Sequence, residues 1–298
     1  MAGELITADQ QIQWAGMLWG DGTPFSVGDV PGWEDLPGVD SASAPRAQQH
    51  GSLPGRLLAQ ARAITCNMQV TGLPEDWPAL RRTLLAATSL RQDEQPLVIQ
   101  LAGQQLLVNA RLARRVISSD TAYATGTPTI SLLWEASDPR RYSVAQASAS
   151  AVLPTAESGL SFGSPTETGL SFGSPTESGL SFGSPGSTGD LLVTNDGDTD
   201  THPIVEFRGP VVTPTVTCGA LRLEYGITLA ATDVLLIDTW AGTVLLGGQD
   251  RQGTATSRSI PENAFALPPG QSVLSFRADP GSTDPAASCT VRWRSAYM

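Results

Sequence analysis

The chain has 298 residues, 40% of them apolar and only 16% charged, with 30 Gly and 22 Pro. That profile suits a β-rich, turn-rich globular protein and excludes a coiled coil or an acidic disordered tail. A net charge of −11 argues against a surface that grips nucleic acid, which needs basic patches to displace counterions.

No run approaches the ~18 apolar residues of a membrane span, so membrane insertion is not expected. The segment from Met1 to Ile6 lacks the basic start and long apolar stretch of a signal peptide. All 18 basic residues are Arg, a bias that fits a gene of very high GC content. Cys66, Cys218 and Cys289 are odd in number and form no CxxC pair, so they read as three buried free thiols in a protein kept in a reducing cytoplasm.

In chain order, Ile64 to Val70 alternates as a half-buried strand. Glu75-Asp76-Trp77-Pro78 then opens a helix through about Ser89, with acids in the first turn and Leu80, Leu84 and Leu85 at helical spacing. Pro96 to Leu101 and Leu106 to Ile117 form a long hairpin around a turn at 102–105, and Thr129 to Ala136 is a further strand. This first part reads as α+β.

A tandem repeat of period ten follows. Glu157 to Thr166 recurs almost unchanged as Glu167 to Thr176 and again as Glu177 to Gly186. Each unit offers only a Leu and a Phe, two residues apart and so on one face of a short strand, between Gly and Ser-Pro punctuation. The pattern favours ordered hairpin-like strands over a loose linker, in a connector rather than a domain.

The last part reads as all-β. Strand candidates are Gly189 to Val193, His202 to Phe207, Val211 to Val216, Leu221 to Leu229, Asp233 to Thr239, Thr243 to Leu246, Val273 to Arg277 and Thr290 to Trp293. Turns at about ten-residue intervals give the cadence of a sandwich. The expected domains are thus 1–154, a connector over 155–188, and 189–298.

Candidate chemistry is sparse, and no catalytic residue or cofactor is assigned. Gly159-Leu160-Ser161-Phe162-Gly163 matches the GxSxG nucleophile elbow, as do the repeats around Ser171 and Ser181. None follows a long apolar strand or precedes a helix, and three nucleophiles ten residues apart serve no hydrolase. Asp196, Asp198 and Asp200 alternate like the opening of a calcium loop, but Thr201 and Phe207 stand where an EF-hand wants Gly and Glu. A polar turn is the simpler reading, and a weak calcium site the alternative.

His50 has no metal-ligating residue at ligand spacing, and His202 is read the same way, although its nearby aspartates make a metal role conceivable. Arg111, Arg114 and Arg115 read as a strand-edge or interface patch. Trp240, Trp293, Tyr225 and Tyr297 could line a sugar-binding groove, although aromatic residues in a sandwich are more often core.

Several of these segments together resemble a family. Arg46…His50-Gly51…Pro54-Gly55, a strand containing Arg62-Ala63-Ile64-Thr65, a helix after Gly72 and a hairpin ending near Asp138-Pro139 are similar to the distal tail proteins of long-tailed phages. In the second half, the run from Val193 to Ile204, the Phe207-Arg208-Gly209-Pro210 turn, Leu229 to Asp238, and Leu267-Pro268-Pro269-Gly270 with Val273 to Phe276 continue the resemblance. The triple repeat departs from it as a longer join, and residues 1–40 match less closely.

The resemblance implies a mainly β protein, with an N-terminal barrel-like domain carrying one helix and a C-terminal galectin-like sandwich. It implies a structural hub at the distal end of a virion tail, assembled in the host cytoplasm, from an actinobacteriophage in view of the missing lysine. Six copies would form a ring between the tail tube protein and the tail-tip and receptor-binding proteins, with DNA passing through an acidic lumen that repels it. Possible saccharide contact falls to the outer domain. A stand-alone lectin-like carbohydrate-binding protein is the alternative.

Overall fold

The computed structural model describes residues 2–155 and 186–298. The fold is mainly β, 47% strand and 9% helix. It divides into two units, Met1–Ala145 together with Ala296–Met298, and Gln146–Ser295.

The first unit opens with β1 (Gln11–Trp14), β2 (Met17–Trp19) and β3 (Phe25–Asp29), continues through the short strands β4 (Val39–Ser41), β5 (Ala44–Pro45), β6 (Ser52–Leu53) and β7 (Leu57–Ala59), and reaches the long β8 (Arg62–Val70). Helix α1 (Trp77–Ala87) precedes β9 (Gln95–Leu101), β10 (Gln104–Ile117), a single-turn α2 (Thr121–Ala124), β11 (Thr129–Ala136) and β12 (Arg141–Ser143). The main sheet runs β2-β1-β9-β10-β11-β8-β3.

Strand β10 turns the corner of this near-barrel. Its first half pairs with β9 and its second half with β11, and the register shifts between Leu112 and Arg114. A bulge of this kind bends a strand and sharpens its twist, so one strand can serve two layers. The period-2 pattern of β8 and β11 sends Ile64, Cys66, Met68, Ile130, Leu132 and Trp134 into a common core. Trp134 sits there with Trp14 and Trp19 at ring separations of 5.7 and 5.9 Å.

Helix α1 buries Trp77 and Leu84 against this core. Its C-terminal carbonyls are engaged from the barrel, where the Trp14 indole donates to Ala87 O at 3.1 Å and Arg115 Nη1 donates to Thr88 O at 2.9 Å. A cation at a helix C-terminus also opposes the negative end of the macrodipole.

The second unit is a two-sheet sandwich. It begins with β13 (Ala147–Val152) and β14 (Asp190–Asn195), followed by β15 (Ile204–Arg208), β16 (Val211–Val212), β17 (Thr215–Cys218), β18 (Leu221–Glu224) and β19 (Thr228–Leu229). Next come β20 (Val234–Asp238), β21 (Thr243–Leu246), β22 (Gln249–Asp250), β23 (Gly270–Arg277) and β24 (Ser288–Trp293); β25 (Ala296–Tyr297) returns to the first unit. One sheet is ordered β13-β24-β15-β20-β21-β22 and the other β14-β23-β17-β18. Phe207 and Phe276, one from each sheet, stack at 5.7 Å in the core between them.

Several expectations change. The strand expected over Val211 to Val216 is broken at Thr213, whose φ is 51°, ahead of Pro214, and Leu221 to Leu229 is broken before Gly226. The first unit ends at Ala145 rather than at residue 154, because β13 pairs along its length with β24 in the sandwich. Cys66 and Cys289 are buried, but Cys218 is only half-buried.

The three repeats lie outside the described residues. Their flanks are described: Thr155 and Ser187 pair in an antiparallel bridge, with Thr155 N donating to Ser187 O at 2.9 Å and Ser187 N to Thr155 O at 3.2 Å. Both flanking residues belong to the second unit. The described ends of the connector expected over 155–188 therefore fall in one unit.

Candidate interaction surface

Strands β4 to β7 build a long hairpin arm. β4 pairs with β7 and β5 with β6, Gln60 N donates to Gly38 O at 2.7 Å at the root, and Arg46 N donates to Gly51 O at 3.2 Å near the tip. From Gly38 to Gln60 every residue except Gly55 is exposed. Leu53, Leu57 and Leu58 are 56%, 67% and 54% accessible, and Leu36 just before the arm is 70% accessible. A two-stranded ribbon with its leucines in water has no core of its own and is at best marginally stable alone.

The root of this arm is fixed by buried charge. Arg62, 1% exposed, donates from Nη1 to the carbonyls of Gly32, Trp33 and Asp35 at 2.8, 3.0 and 2.7 Å, and from Nε to Pro139 O at 2.6 Å. Burial, then the neighbouring charge of Arg141, lowers its pKa to about 10, against the opposing pull of Glu34 and Asp35. Arg141 pairs with Glu34 at 3.0 Å and donates to Met298 O at 2.7 Å. Here β25 pairs with β12, Arg141 facing Tyr297.

Gly32 is a close approach. Its φ is +86°, and a Cβ there would lie 2.0 Å from Ala63 O. No side chain fits, which lets the chain entering the arm lie against β8.

The other candidate positions are scattered. His50 is exposed at the arm's tip. Arg111 pairs with Glu135 at 3.2 Å on the surface, and Arg115 is engaged with the end of α1, so the three arginines do not act as one patch. Ser161, Ser171 and Ser181 lie outside the described residues.

Asp196, Asp198 and Asp200 sit on the β14–β15 turn. Asn195, nearly fully buried, organises that turn by donating from Nδ2 to Thr199 O at 2.8 Å and accepting from Gly197 N at 3.2 Å. Among the described residues no three His, Cys, Asp or Glu side chains are grouped to hold a metal ion, these aspartates included.

The four aromatic residues do not line one groove. Trp293 is buried, its indole donating to Thr194 O at 2.8 Å, and Tyr225 is buried with its hydroxyl on Glu262 Oε1 at 3.1 Å. Burial first, then the Glu262 charge, pushes the Tyr225 pKa upward. Tyr297 belongs to the first unit, and Trp240 alone stays exposed in the second. An open groove of about 450 Å³ lies over β3, β8 and β11, lined by Ser26, Asn67, Gln69, Thr129 and Ser131 with no titratable side chain.

No protein-family model and no curated protein matches the chain in sequence. Among solved structures, the crystal structure of Dit (gp 19.1) of SPP1, described as a paradigm of the hub adsorption apparatus in phages infecting Gram-positive bacteria, is similar at a TM-score of 0.63 and 13% identity. The likeness covers 97% of this chain and 99% of that one. The fold is that of Dit.

Two structures of the phage P2 baseplate in its activated conformation, with Ca and with Sr, align at 12% identity with TM-scores of 0.49 and 0.46. They cover 93% and 95% of this chain, and 93% and 96% of theirs. The likeness to Dit takes in both units.

Proposed function

We propose that the chain is a structural hub of a phage tail, working mechanically rather than catalytically. Copies of the first unit associate into a closed ring that continues the tail tube and lets DNA pass. The observation that carries this reading is the arm, a ribbon of exposed leucines anchored at a rigid, buried root. Its leucines gain their burial by lying against a neighbouring copy. One heterologous contact used repeatedly closes into a ring when its rotation divides a full turn. The likeness to the Dit fold, over 97% of the chain, supports the same reading.

In this reading the ring has six copies, the distal end of the virion tail is its location, and the sandwich meets the tail-tip and receptor-binding proteins. The acidic composition suits a channel along which DNA slides without sticking.

The test is the oligomeric state of the intact chain by mass photometry, with negative-stain images of the same sample. Rings at six times the 31.2 kDa subunit mass, or a back-to-back double, support the hub. A variant with Leu53, Leu57 and Leu58 changed to Ser dissociates to monomers while keeping its circular dichroism. Rings that persist in that variant remove the arm from the interface, and a monomer at all concentrations, with or without tail tube protein, overturns the ring.

A further inference from the structure

The tip of the β20–β21 hairpin carries a feature that ring formation does not use. Trp240 is 49% exposed, whereas Trp14, Trp19, Trp33, Trp77, Trp134 and Trp293 are all buried. Burying an indole is among the largest apolar gains a side chain offers, and its N–H adds a polar handle.

This indole is held in place. Asp238 Oδ1 accepts hydrogen bonds from Trp240 N and Ala241 N, both at 2.9 Å, which fixes the turn. The His202 ring meets the indole edge-on at 5.2 Å, and a His202 ring nitrogen lies 3.3 Å from Asn263 O. Gln252 Nε2 donates to Gly242 O at 3.2 Å, closing the far side of the same turn.

Its surroundings are polar. Thr243, Asn263 and Gln252 are exposed nearby, while the large exposed aliphatic side chains described in the sandwich, Val152, Leu192, Val212 and Val273, lie on β13, β14, β16 and β23. A protein-docking hot spot sits at the centre of a packed patch, and among the described residues no large exposed aliphatic side chain shares the β20–β21 turn with Trp240. A preorganised aromatic face with hydrogen-bonding groups at its rim matches the two-sided chemistry of a sugar, whose ring C–H face is apolar and whose edge carries hydroxyls.

We propose that Trp240, with His202 and Asn263, forms a shallow saccharide-binding platform that stacks on the apolar face of a pyranose ring. The platform rests on the second unit alone and is independent of the ring reading, so neither result decides the other.

The test is saturation-transfer NMR on the intact chain, with maltotetraose, cellotetraose and chitotetraose as probes. Transfer to the ring protons of at least one probe is expected. Trp240→Ala weakens that binding by about tenfold or more, and Trp240→Phe retains part of it. Circular dichroism stays unchanged, because the side chain removed is on the surface. His202→Ala gives a smaller loss by freeing the indole to rotate. Absence of transfer with all three probes, or equal transfer in Trp240→Ala, overturns the proposal. So does a Trp240→Ala chain that binds sugar normally and fails only to join another protein.

Discussion

Arg62 and Arg141 are two buried guanidiniums whose like charges oppose one another at the root of the arm. Four backbone carbonyls, those of Gly32, Trp33, Asp35 and Pro139, are satisfied by Arg62 alone. Removing it strands the buried Trp33 carbonyl, takes a partner from the three part-buried ones, and leaves Glu34 and Asp35 with less compensation. Arg62→Ala is expected to destabilise the chain by about 3–5 kcal/mol, read from its urea midpoint. Arg62→Lys recovers little, since an ammonium lacks the planar fork that reaches carbonyls on two segments at once.

Gly32 supplies both a positive φ and the space beside Ala63 O. Gly32→Ala combines left-handed strain with a backbone clash, for an expected loss of more than about 2 kcal/mol. Gly16, also at positive φ but with open space around its Cβ position, is the control. Gly16→Ala costs about 1 kcal/mol through backbone conformation alone, and thermal unfolding of the two variants separates the effects.

Glu224 makes the sandwich sensitive to acid. Burial alone would raise its pKa, but hydrogen bonds from Arg222 and Thr256 and the charges of Arg222 and Arg258 outweigh it and hold the carboxyl below its ordinary 4.5. The native chain then binds fewer protons at this site than the unfolded chain does. The contribution is present above pH 4.5 and is lost as the pH falls through the depressed native value. Glu224→Gln is expected to lower stability by about 1–3 kcal/mol at pH 7, and the gap to the parent narrows at pH 3. A gap that is constant with pH would refute the charge assignment.

The bridge between Thr155 and Ser187 closes the segment between them at one residue pair, so the closure entropy depends only weakly on its length. Deleting residues 167–176 changes the closure entropy by less than about 0.5 kcal/mol, so the melting temperature is expected to stay within about 2 °C. A loss of several degrees would mean that the repeats themselves pack on the sandwich.

Much of the first unit's core was legible because β8 and β11 alternate cleanly, and the observed β11 has the bounds the alternation predicts. Helix α1 was legible from its leucine spacing and proline. The β1–β2 hairpin was not: Gln11-Ile12-Gln13-Trp14 alternates but is only four residues long, both glutamines are buried rather than solvated, and its turn uses Ala15-Gly16, both at positive φ, in place of the Asn-Gly that signals such turns.

The arm escaped for the opposite reason. Its strands are exposed on both faces and carry no alternation, so in the sequence they look like a loop. Trp240 could be named but not placed, because exposure on a turn depends on the β20–β21 register. The pairing of β13 with β24, and of β12 with β25, is long-range and left no local mark.

Strand β25 completes the first unit with residues that follow the whole sandwich in the chain. During synthesis on a ribosome, the first unit waits for its last strand until Ala296 to Met298 emerge. A translation product that stops short has nothing for Arg141 to hold at Met298 and no partner for β12. The sandwich is thus inserted between two segments of the first unit, and closure of that unit is coupled to completed synthesis of the other.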